Sequence, residues 1–310
     1  MRTARDKAAC RFACPARSGW RLWWALIAPL WLAACNRSAP PVVYVVATPT
    51  EAPAATTTPL ATRTPTLRPT PTPSATPAGW ESVAEGAQVR RLYATQADRG
   101  SYVYALRLDP SRTDIALRYD PDRPRSVSAW LSSEHPIAAV NAGFFTRDYA
   151  PAGVWMIDGD SFGLGHELME AELLVTGAGI YILRLNERYK ADRTRTIAAV
   201  ESYPLLIYDR RIARSIRDSS VAARTVVGLD GGGFVVFVLV PGETLTLQGL
   251  AEWLARSDLN LDVALNLDGG SSAGMLVQAG SQVWGADSGR DIPGVLVVYP
   301  KILGVTGGVP

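Results

Sequence analysis

A proline- and threonine-rich segment divides this chain of 310 residues and limits how much of it can fold. Residues 36–79 include the run ATPTEAPAATTTPLATRTPTLRPTPTPSATP, which contains no aromatic residue and no hydrophobic period. A run of this composition buries too little apolar surface to offset the entropy that is lost on ordering. We therefore expect residues 35–79 to form a disordered, extended linker, and the folded part to begin at Trp80.

The first 34 residues have the pattern of an export signal. They carry six basic side chains, an apolar stretch at 22–32, and Leu-Ala-Ala directly before Cys35. This order is typical of a secretory signal peptide, and the apolar stretch is short for a permanent membrane span. The sequence around Cys35 resembles a bacterial lipobox. We expect residues 1–34 to be removed and Cys35 to be lipidated, which would anchor the protein on the extracytoplasmic face of the cell membrane; the alternative is that the apolar stretch itself is the anchor.

Removal of residues 1–34 would change the charge balance of the chain. The mature chain would keep 25 basic and 28 acidic side chains, so the formal net charge of +2 belongs to the signal and indicates no nucleic-acid partner. Cys10 and Cys14 would leave with the signal, so Cys35 would be the only remaining thiol. A disulfide framework and a cysteine metal site are both excluded in that mature form.

Residues 80–303 have the composition of a globular domain, followed by a C-terminal tail at 304–310. Ser126 is a candidate N-cap for a helix at 127–133, and Thr246 for a helix at 247–256. Many strand-like runs with few helices favour a single α+β domain built on a mixed sheet. The strand predictions are 102–108, 114–119, 136–140, 153–157, 179–185, 204–208, 225–229, 234–240, 263–267 and 294–299.

Four apolar runs share one pattern, in which a strand-like segment meets polar residues and turn-forming residues. Such strand ends let side chains and bare backbone N–H groups meet a ligand. Each run also has a simpler interpretation, because Asn-Ala-Gly and Asp-Gly-Gly are ordinary turn sequences and Arg224 could be a surface residue. The runs are IAAVNAGFF (137–145), ESYPLLIYD (201–209), AARTVVGLD (222–230) and ALNLDGGSSAG (264–274).

Taken in order, these four runs resemble the phosphodiester glycosidase family. The family pattern is an Asn-Gly/Ala-Gly-Phe-Phe turn, a Ser-Gly-Pro-like strand, Arg-Thr-x-x-Gly, Asn-x-Asp-Gly-Gly-Gly-Ser and a closing Arg-x-Val-x-Asn-x-Leu strand. GRDIPGVLVV near the end resembles the closing strand, with Arg290 kept and Gly294 where asparagine is usual. Tyr203, Ser271 and Gly294 depart from this pattern, which weakens any transfer of substrate identity but leaves the fold expectation intact. The matching residues are Asn141, Gly143, Phe144, Phe145, Ser202, Pro204, Arg224, Thr225, Gly228, Asn266, Asp268, Gly269, Gly270, Ser272 and Arg290.

The resemblance implies a domain of the phosphodiester glycosidase type and a hydrolase that cleaves the bond between a sugar anomeric carbon and a phosphodiester. We expect Asp268 to act as nucleophile or general base, and Arg224 to bind phosphate through its planar guanidinium. Glu201 is the best candidate for a second carboxylate. The expected substrate-binding residues are Asn141, Gly143, Ser202, Thr225, Asn266, Gly269, Gly270, Ser271, Ser272 and Arg290.

Cofactors and partners are less constrained by the sequence. His135 and His166 occupy no metal-ligand pattern, and no metal is assigned, although a divalent cation held by Asp268 and backbone carbonyls is left open. The expected partners are a glycan or sugar-phosphate substrate and, through Cys35, the membrane. The alternative functions are a non-catalytic module that binds a glycan or exopolysaccharide in the same pocket, and an envelope scaffold with a vestigial site.

Overall fold

The computed structural model describes residues 79–96 and 99–301. The predicted signal peptide, nearly all of the predicted linker with Cys35, and the C-terminal tail lie outside the described residues. Among the helices in these two described ranges, none combines the length and the apolar character that crossing a membrane requires.

The described region contains eighteen β-strands and two α-helices. The helices are α1 (Val127–Glu134) and α2 (Leu247–Arg256), and short 3-10 helices occupy Leu185–Lys190 and Gly270–Ser272. The strands are β1 (Glu81–Ala84), β2 (Ala87–Gln96), β3 (Arg99–Leu108), β4 (Thr113–Tyr119), β5 (Ala138–Asn141), β6 (Trp155–Ile157), β7 (Asp160–Phe162), β8 (Ala171–Thr176), β9 (Gly179–Arg184), β10 (Thr196–Ser202), β11 (Leu205–Tyr208), β12 (Arg211–Ile212), β13 (Ala222–Asp230), β14 (Val235–Leu245), β15 (Leu261–Asn266), β16 (Met275–Ala279), β17 (Gln282–Ala286) and β18 (Gly294–Pro300).

The strands form three sheets. An eight-stranded sheet has the order β1-β2-β3-β14-β13-β15-β11-β12, and two five-stranded sheets have the orders β7-β6-β10-β8-β9 and β17-β16-β5-β18-β4. The predicted mixed sheet is wrong, because the strand pairs in the described region are antiparallel. The described region is also mainly β-sheet, with far more strand than helix. Parallel strands need long crossover connections, usually helical, and this region has only two α-helices to supply them.

The hydrophobic core lies between the eight-stranded sheet and the two smaller sheets. Phe237 of β14, Val200 of β10 and Val140 of β5 belong to one buried cluster that joins the three sheets. On its other face the large sheet is covered by α2, where Leu250 packs with Val238. The sheet that contains β5 is covered on its outer face by α1, through Trp130 and Leu131.

The local sequence explains these elements. Both faces of strand β14 are buried, since Phe237 packs in the central cluster and Val238 packs under α2. This is why the strand has the continuously hydrophobic sequence VVFVLV. Both predicted helix starts are confirmed, since Ser126 Oγ accepts a hydrogen bond from Ala129 N at 3.3 Å and Thr246 Oγ1 accepts one from Gly249 N at 3.0 Å. The ends of β5, β10, β13 and β15 carry the polar residues singled out in the sequence.

Candidate functional site

Asn141 joins three of these strand ends. It is buried at the end of β5, and its Oδ1 accepts hydrogen bonds from Thr225 Oγ1 at 2.6 Å and from Gly274 N at 3.0 Å. Its Nδ2 donates to the main-chain oxygen of Asp268 at 2.8 Å and to that of Ala142 at 3.2 Å. The amide is thereby occupied within the protein. In this structure Asn141 and Thr225 fix the position of the turn that carries Asp268.

Asp268 is the carboxyl at the centre of this turn. Its Oδ1 accepts a hydrogen bond from Gly269 N at 2.8 Å. Burial raises the pKa of Asp268 from 3.8 to about 6, while hydrogen bonding by Ser272 and Gly269 and the charge of Arg290 oppose that shift. A carboxyl with a pKa near 6 is mostly ionised at neutral pH and can still exchange a proton there.

Arg290 supplies positive charge on the open side of the turn. The residue is exposed, and its guanidinium carbon lies 5.0 Å from the centroid of the Phe145 ring. Phe145 belongs to the predicted turn that begins at Asn141, so this contact places Arg290 beside the Asn141 turn. An exposed guanidinium beside the partly buried Asp268 carboxyl is suited to binding an anionic group of a ligand.

Arg224 lies close to the same turn but is already paired. A Cβ placed on Gly269 would lie 3.7 Å from Arg224 Nη1, so the two residues are neighbours. Arg224 Nη2 donates to Asp218 Oδ2 and to the main-chain oxygen of Ser220, both at 2.9 Å. Its Nε is buried and has no hydrogen-bond partner in the described part of the chain. The sequence indicated Arg224 but gave no signal for Asp218, which lies in an irregular loop.

Ser202 and Asn266 meet at the end of β10. Ser202 Oγ donates to the main-chain oxygen of Asn266 at 2.7 Å, and Asn266 Nδ2 donates to that of Tyr203 at 2.9 Å. Asn266 Oδ1 is buried and finds no partner among the described residues. Tyr203, which stands where the family pattern has glycine, packs its ring 4.9 Å from that of Phe144.

Glu201 has a different environment. Its carboxylate is buried, forms an ion pair with Arg188, and accepts a hydrogen bond from Val154 N at 2.9 Å. It lies directly across the strand pair from buried Glu172, which also pairs with Arg188 and with Arg193. None of the hydrogen bonds among the described residues joins Glu201 to Asp268. The sequence did not predict this cluster of two glutamates and two arginines.

Two glycines of the pattern are explained by packing on Trp155. A Cβ on Gly143 would lie 2.9 Å from the Trp155 ring nitrogen, and one on Gly294 would lie 2.6 Å from a ring carbon of the same residue. The buried indole therefore leaves no space for the asparagine that the family pattern has at position 294. Gly143 serves packing here, whereas Gly269 contributes its N–H to Asp268.

The remaining predicted residues line the turn itself. Gly270 has a φ of +59°, a conformation that favours glycine, Ser271 is exposed, and Ser272 is buried beside Asp268. Within the described ranges, no group of three or more His, Cys, Asp or Glu side chains is placed to hold a metal ion. The structure thus brings Asn141, Thr225 and Asp268 together, and leaves Glu201 in a separate ion-pair cluster.

The fold of this chain is similar to those of two solved structures. Over 69% of this chain and 83% of the other, the fold is similar to the zebrafish N-acetylglucosamine-1-phosphodiester alpha-N-acetylglucosaminidase catalytic domain, which is auto-inhibited by its pro-peptide (18% identity, TM-score 0.56). It is also similar to a hypothetical protein from Synechocystis, over 74% of this chain and 64% of that chain (15% identity, TM-score 0.51). These distant likenesses show the fold alone.

The class of protein follows from the sequence match as well as the fold. The fold and the family are those of a glycosidase that acts on phosphodiesters. The phosphodiester glycosidase family model matches residues 134–299, more than half of the chain, and the chain belongs to this family. No curated protein matches this chain. The resemblance predicted from the four runs is confirmed.

Proposed function

We propose that this protein hydrolyses a sugar-1-phosphodiester, with Asp268 as the reacting carboxylate. The observation that carries the proposal is a partly buried carboxyl with a pKa of about 6 on a turn fixed by Asn141, in a chain of this family. Members of a glycosidase family need such a group at the anomeric centre. Arg290 and Arg224 supply the two cations beside that turn.

The reaction requires little from a general acid. The bond between the anomeric carbon and the phosphate oxygen breaks, water supplies the new oxygen on the sugar, and the proton released by water goes to solvent or to the carboxylate. Because a phosphate monoester is a stable anion, it can leave without full protonation. Asp268 either attacks the anomeric carbon to form a covalent intermediate or removes the proton from the attacking water. Retention or inversion at the anomeric carbon distinguishes these two roles.

The cations would act on the phosphate. Arg290 is exposed and can bind phosphate oxygens as it stands. Arg224 would exchange its ion pair with Asp218 for one with the substrate phosphate, a competition between two anions for one guanidinium. Asn266 Oδ1, Ser271 and Ser272 are polar groups near the turn that could orient a sugar hydroxyl.

We also propose that the protein is exported and held at the membrane by a lipid on Cys35. This part of the proposal rests on the sequence of residues 1–35 alone. A domain on a long Pro/Thr-rich linker would then reach substrates of the cell envelope.

A panel of sugar-1-phosphodiesters tests the proposed reaction. It should include the methyl phosphodiester of N-acetylglucosamine 1-phosphate, because that bond type is named for the zebrafish relative. We expect free sugar and methyl phosphate to appear with at least one substrate, followed by ³¹P NMR and chromatography. If no substrate releases sugar while a glycan array shows specific binding, the protein is a binding module and the hydrolase proposal fails.

A further inference from the structure

The hairpin of β2 and β3 extends beyond the central core. In β2, Val89 packs in the cluster between the sheets, and Leu92, on the opposite face, packs with α2. On the face of Val89, the next residues along the strand are uncovered: Arg91 is exposed and Tyr93 is 50% exposed. The hairpin therefore has one face held by α2 and one face open at this end.

Three side chains form the open face, and we call them the tyrosine surface (Arg91, Tyr93 and Tyr102). Tyr93 and Tyr102 are directly opposite across the strand pair, with ring centroids 5.5 Å apart and an edge-to-face angle of 72°. Tyr102 is 49% exposed, and the guanidinium carbon of Arg91 lies 4.8 Å from its ring centroid. Solvent thus meets two amphipathic rings and one cation on a rigid sheet.

The tyrosine surface lies on the same sheet as the candidate site. Tyr104 of β3 pairs with Leu239 of β14, which pairs with Thr225 of β13. Directly paired residues share a face, so Tyr104 and Thr225 are on one face and about 10 Å apart, the width of two strand spacings. Tyr102 is two residues from Tyr104 and shares its face. With the two further residues along β3, the Cα atoms of Tyr102 and Thr225 are about 12 Å apart, which is the length of two to three sugar rings.

We propose that the tyrosine surface binds further sugar units of the substrate, so that the substrate is a chain of sugar phosphodiesters and not a single sugar ester. This inference rests on the proposed function. The C–H faces of sugar rings are apolar and can pack on exposed aromatic rings, while the hydroxyls of Tyr93 and Tyr102 can bond to sugar hydroxyls. Arg91 has the charge that complements a backbone phosphodiester. The position of the surface on the same sheet face as Thr225, and the charge of Arg91, favour a phosphate-containing glycan as the occupant.

The test compares the binding and hydrolysis of a single sugar phosphodiester with those of a chain of the same units. The probes are the methyl phosphodiester of N-acetylglucosamine 1-phosphate and a tetramer of the same unit joined by phosphodiesters. Calorimetric Kd and kcat/KM are measured for the full chain and for Tyr102→Ala, Tyr93→Ala and Arg91→Gln. The matched control is Tyr189→Ala, which removes a tyrosine that is 81% exposed on a 3-10 helix elsewhere.

We expect the wild type to bind the tetramer more tightly than the monomer. Each tyrosine variant should weaken tetramer binding about fivefold, the scale of one aromatic contact, with monomer kinetics and melting temperature unchanged. Arg91→Gln should weaken tetramer binding and reduce its dependence on salt. The control should match the wild type.

Three results overturn the inference. They are equal wild-type affinity for tetramer and monomer, unchanged tetramer binding in Tyr102→Ala, and equal losses on both probes, which would indicate a structural aromatic pair. If the monomer is hydrolysed in any of these cases, the proposed function stands without the surface. If neither probe is hydrolysed but the tetramer binds through Tyr102, the surface stands as a glycan-binding site, and the hydrolase proposal fails if the whole substrate panel also releases no sugar.

Discussion

At the scale of single residues, Asp268 determines how the site responds to pH. Its carboxyl is partly buried just after β15, and Gly269, Ser272 and Arg290 compensate only in part for the lost hydration. A raised pKa means that ionisation is less favourable in the folded protein than in the unfolded chain. Stability is therefore lost, and reactivity gained, as the pH rises through the interval between 3.8 and about 6.

The first prediction concerns folding stability. Asp268→Asn removes the ionisation, so the variant should gain stability relative to wild type as the pH rises from 4 to 7. The relative gain is at most about 3 kcal/mol, from a pKa difference of about two units. Urea unfolding of both proteins at the two pH values measures it. An unchanged difference would show that Asp268 is not a buried ionisable group.

A second prediction concerns activity. As nucleophile or base, Asp268 must be ionised, so kcat/KM should fall about tenfold per pH unit below about 6. The profile should be measured on the best substrate of the panel between pH 4 and 8. A flat acidic limb would mean that another group carries the reaction.

The residues of the site are only partly predictable from sequence. Asn141, Thr225 and Asp268 stand at strand ends beside turn-forming residues, a pattern that antiparallel strand ends bring together. The ion pair between Arg224 and Asp218 has no comparable signal, because Asp218 lies in an exposed loop whose path depends on tertiary folding. The pairing of Glu201 with Arg188 likewise has no signal in the sequence.

At the scale of elements, the loop at 213–221 holds a carboxylate against the buried Arg224 of β13. The ion pair between Arg224 and Asp218 joins the loop to the strand. Because Asp218 is 40% exposed at its side chain, the pair is expected to contribute no more than about 1 kcal/mol. A substrate phosphate could therefore displace Asp218 at small cost.

The third prediction follows from that competition. Asp218→Asn should lower KM for a phosphodiester by up to about fivefold, since it removes the competing anion. Arg224→Lys should raise KM by at least about tenfold, because the ammonium cannot reproduce the planar guanidinium contacts. Steady-state kinetics with melting temperatures checks both. If both variants only lose thermal stability and keep KM, the pair is structural.

The prediction of strands depended on burial pattern. All ten predicted runs correspond to strands, and the two predicted helices coincide with α1 and α2. Strand β2 was missed because its buried face changes midway, from Val89 in the central cluster to Leu92 under α2, which destroys the two-residue period. Strands β8 and β10 were missed because buried Glu172 and Glu201 interrupt them, and only the pairing with arginines explains their burial.

At the scale of the whole molecule, we propose that a lipid anchor and a linker carry the phosphodiester glycosidase domain. The family match covers 134–299, and the strands before it complete the large sheet through β2 and β3. A polymer substrate in the envelope would suit a domain held near the membrane on an extended linker.

The fourth prediction is that Cys35→Ala abolishes lipidation and releases the protein from membranes. Cys35 would be the only cysteine left after the proposed cleavage. Fractionation of cells and labelling with an alkyne fatty acid measure the change. Unchanged membrane association would indicate that the apolar stretch at 22–32 is the anchor.

The role of the Asp268 carboxylate in sugar-phosphodiester hydrolysis is measured by the turnover of Asp268→Asn on the best panel substrate. The matched control is Asp160→Asn, since Asp160 is an exposed aspartate on β7. We predict that Asp268→Asn lowers kcat by about a thousandfold or more with substrate binding retained, and that the control matches wild type. Near-normal turnover by Asp268→Asn would exclude Asp268 as the reacting carboxylate, and Glu201 would then be the next carboxylate to test.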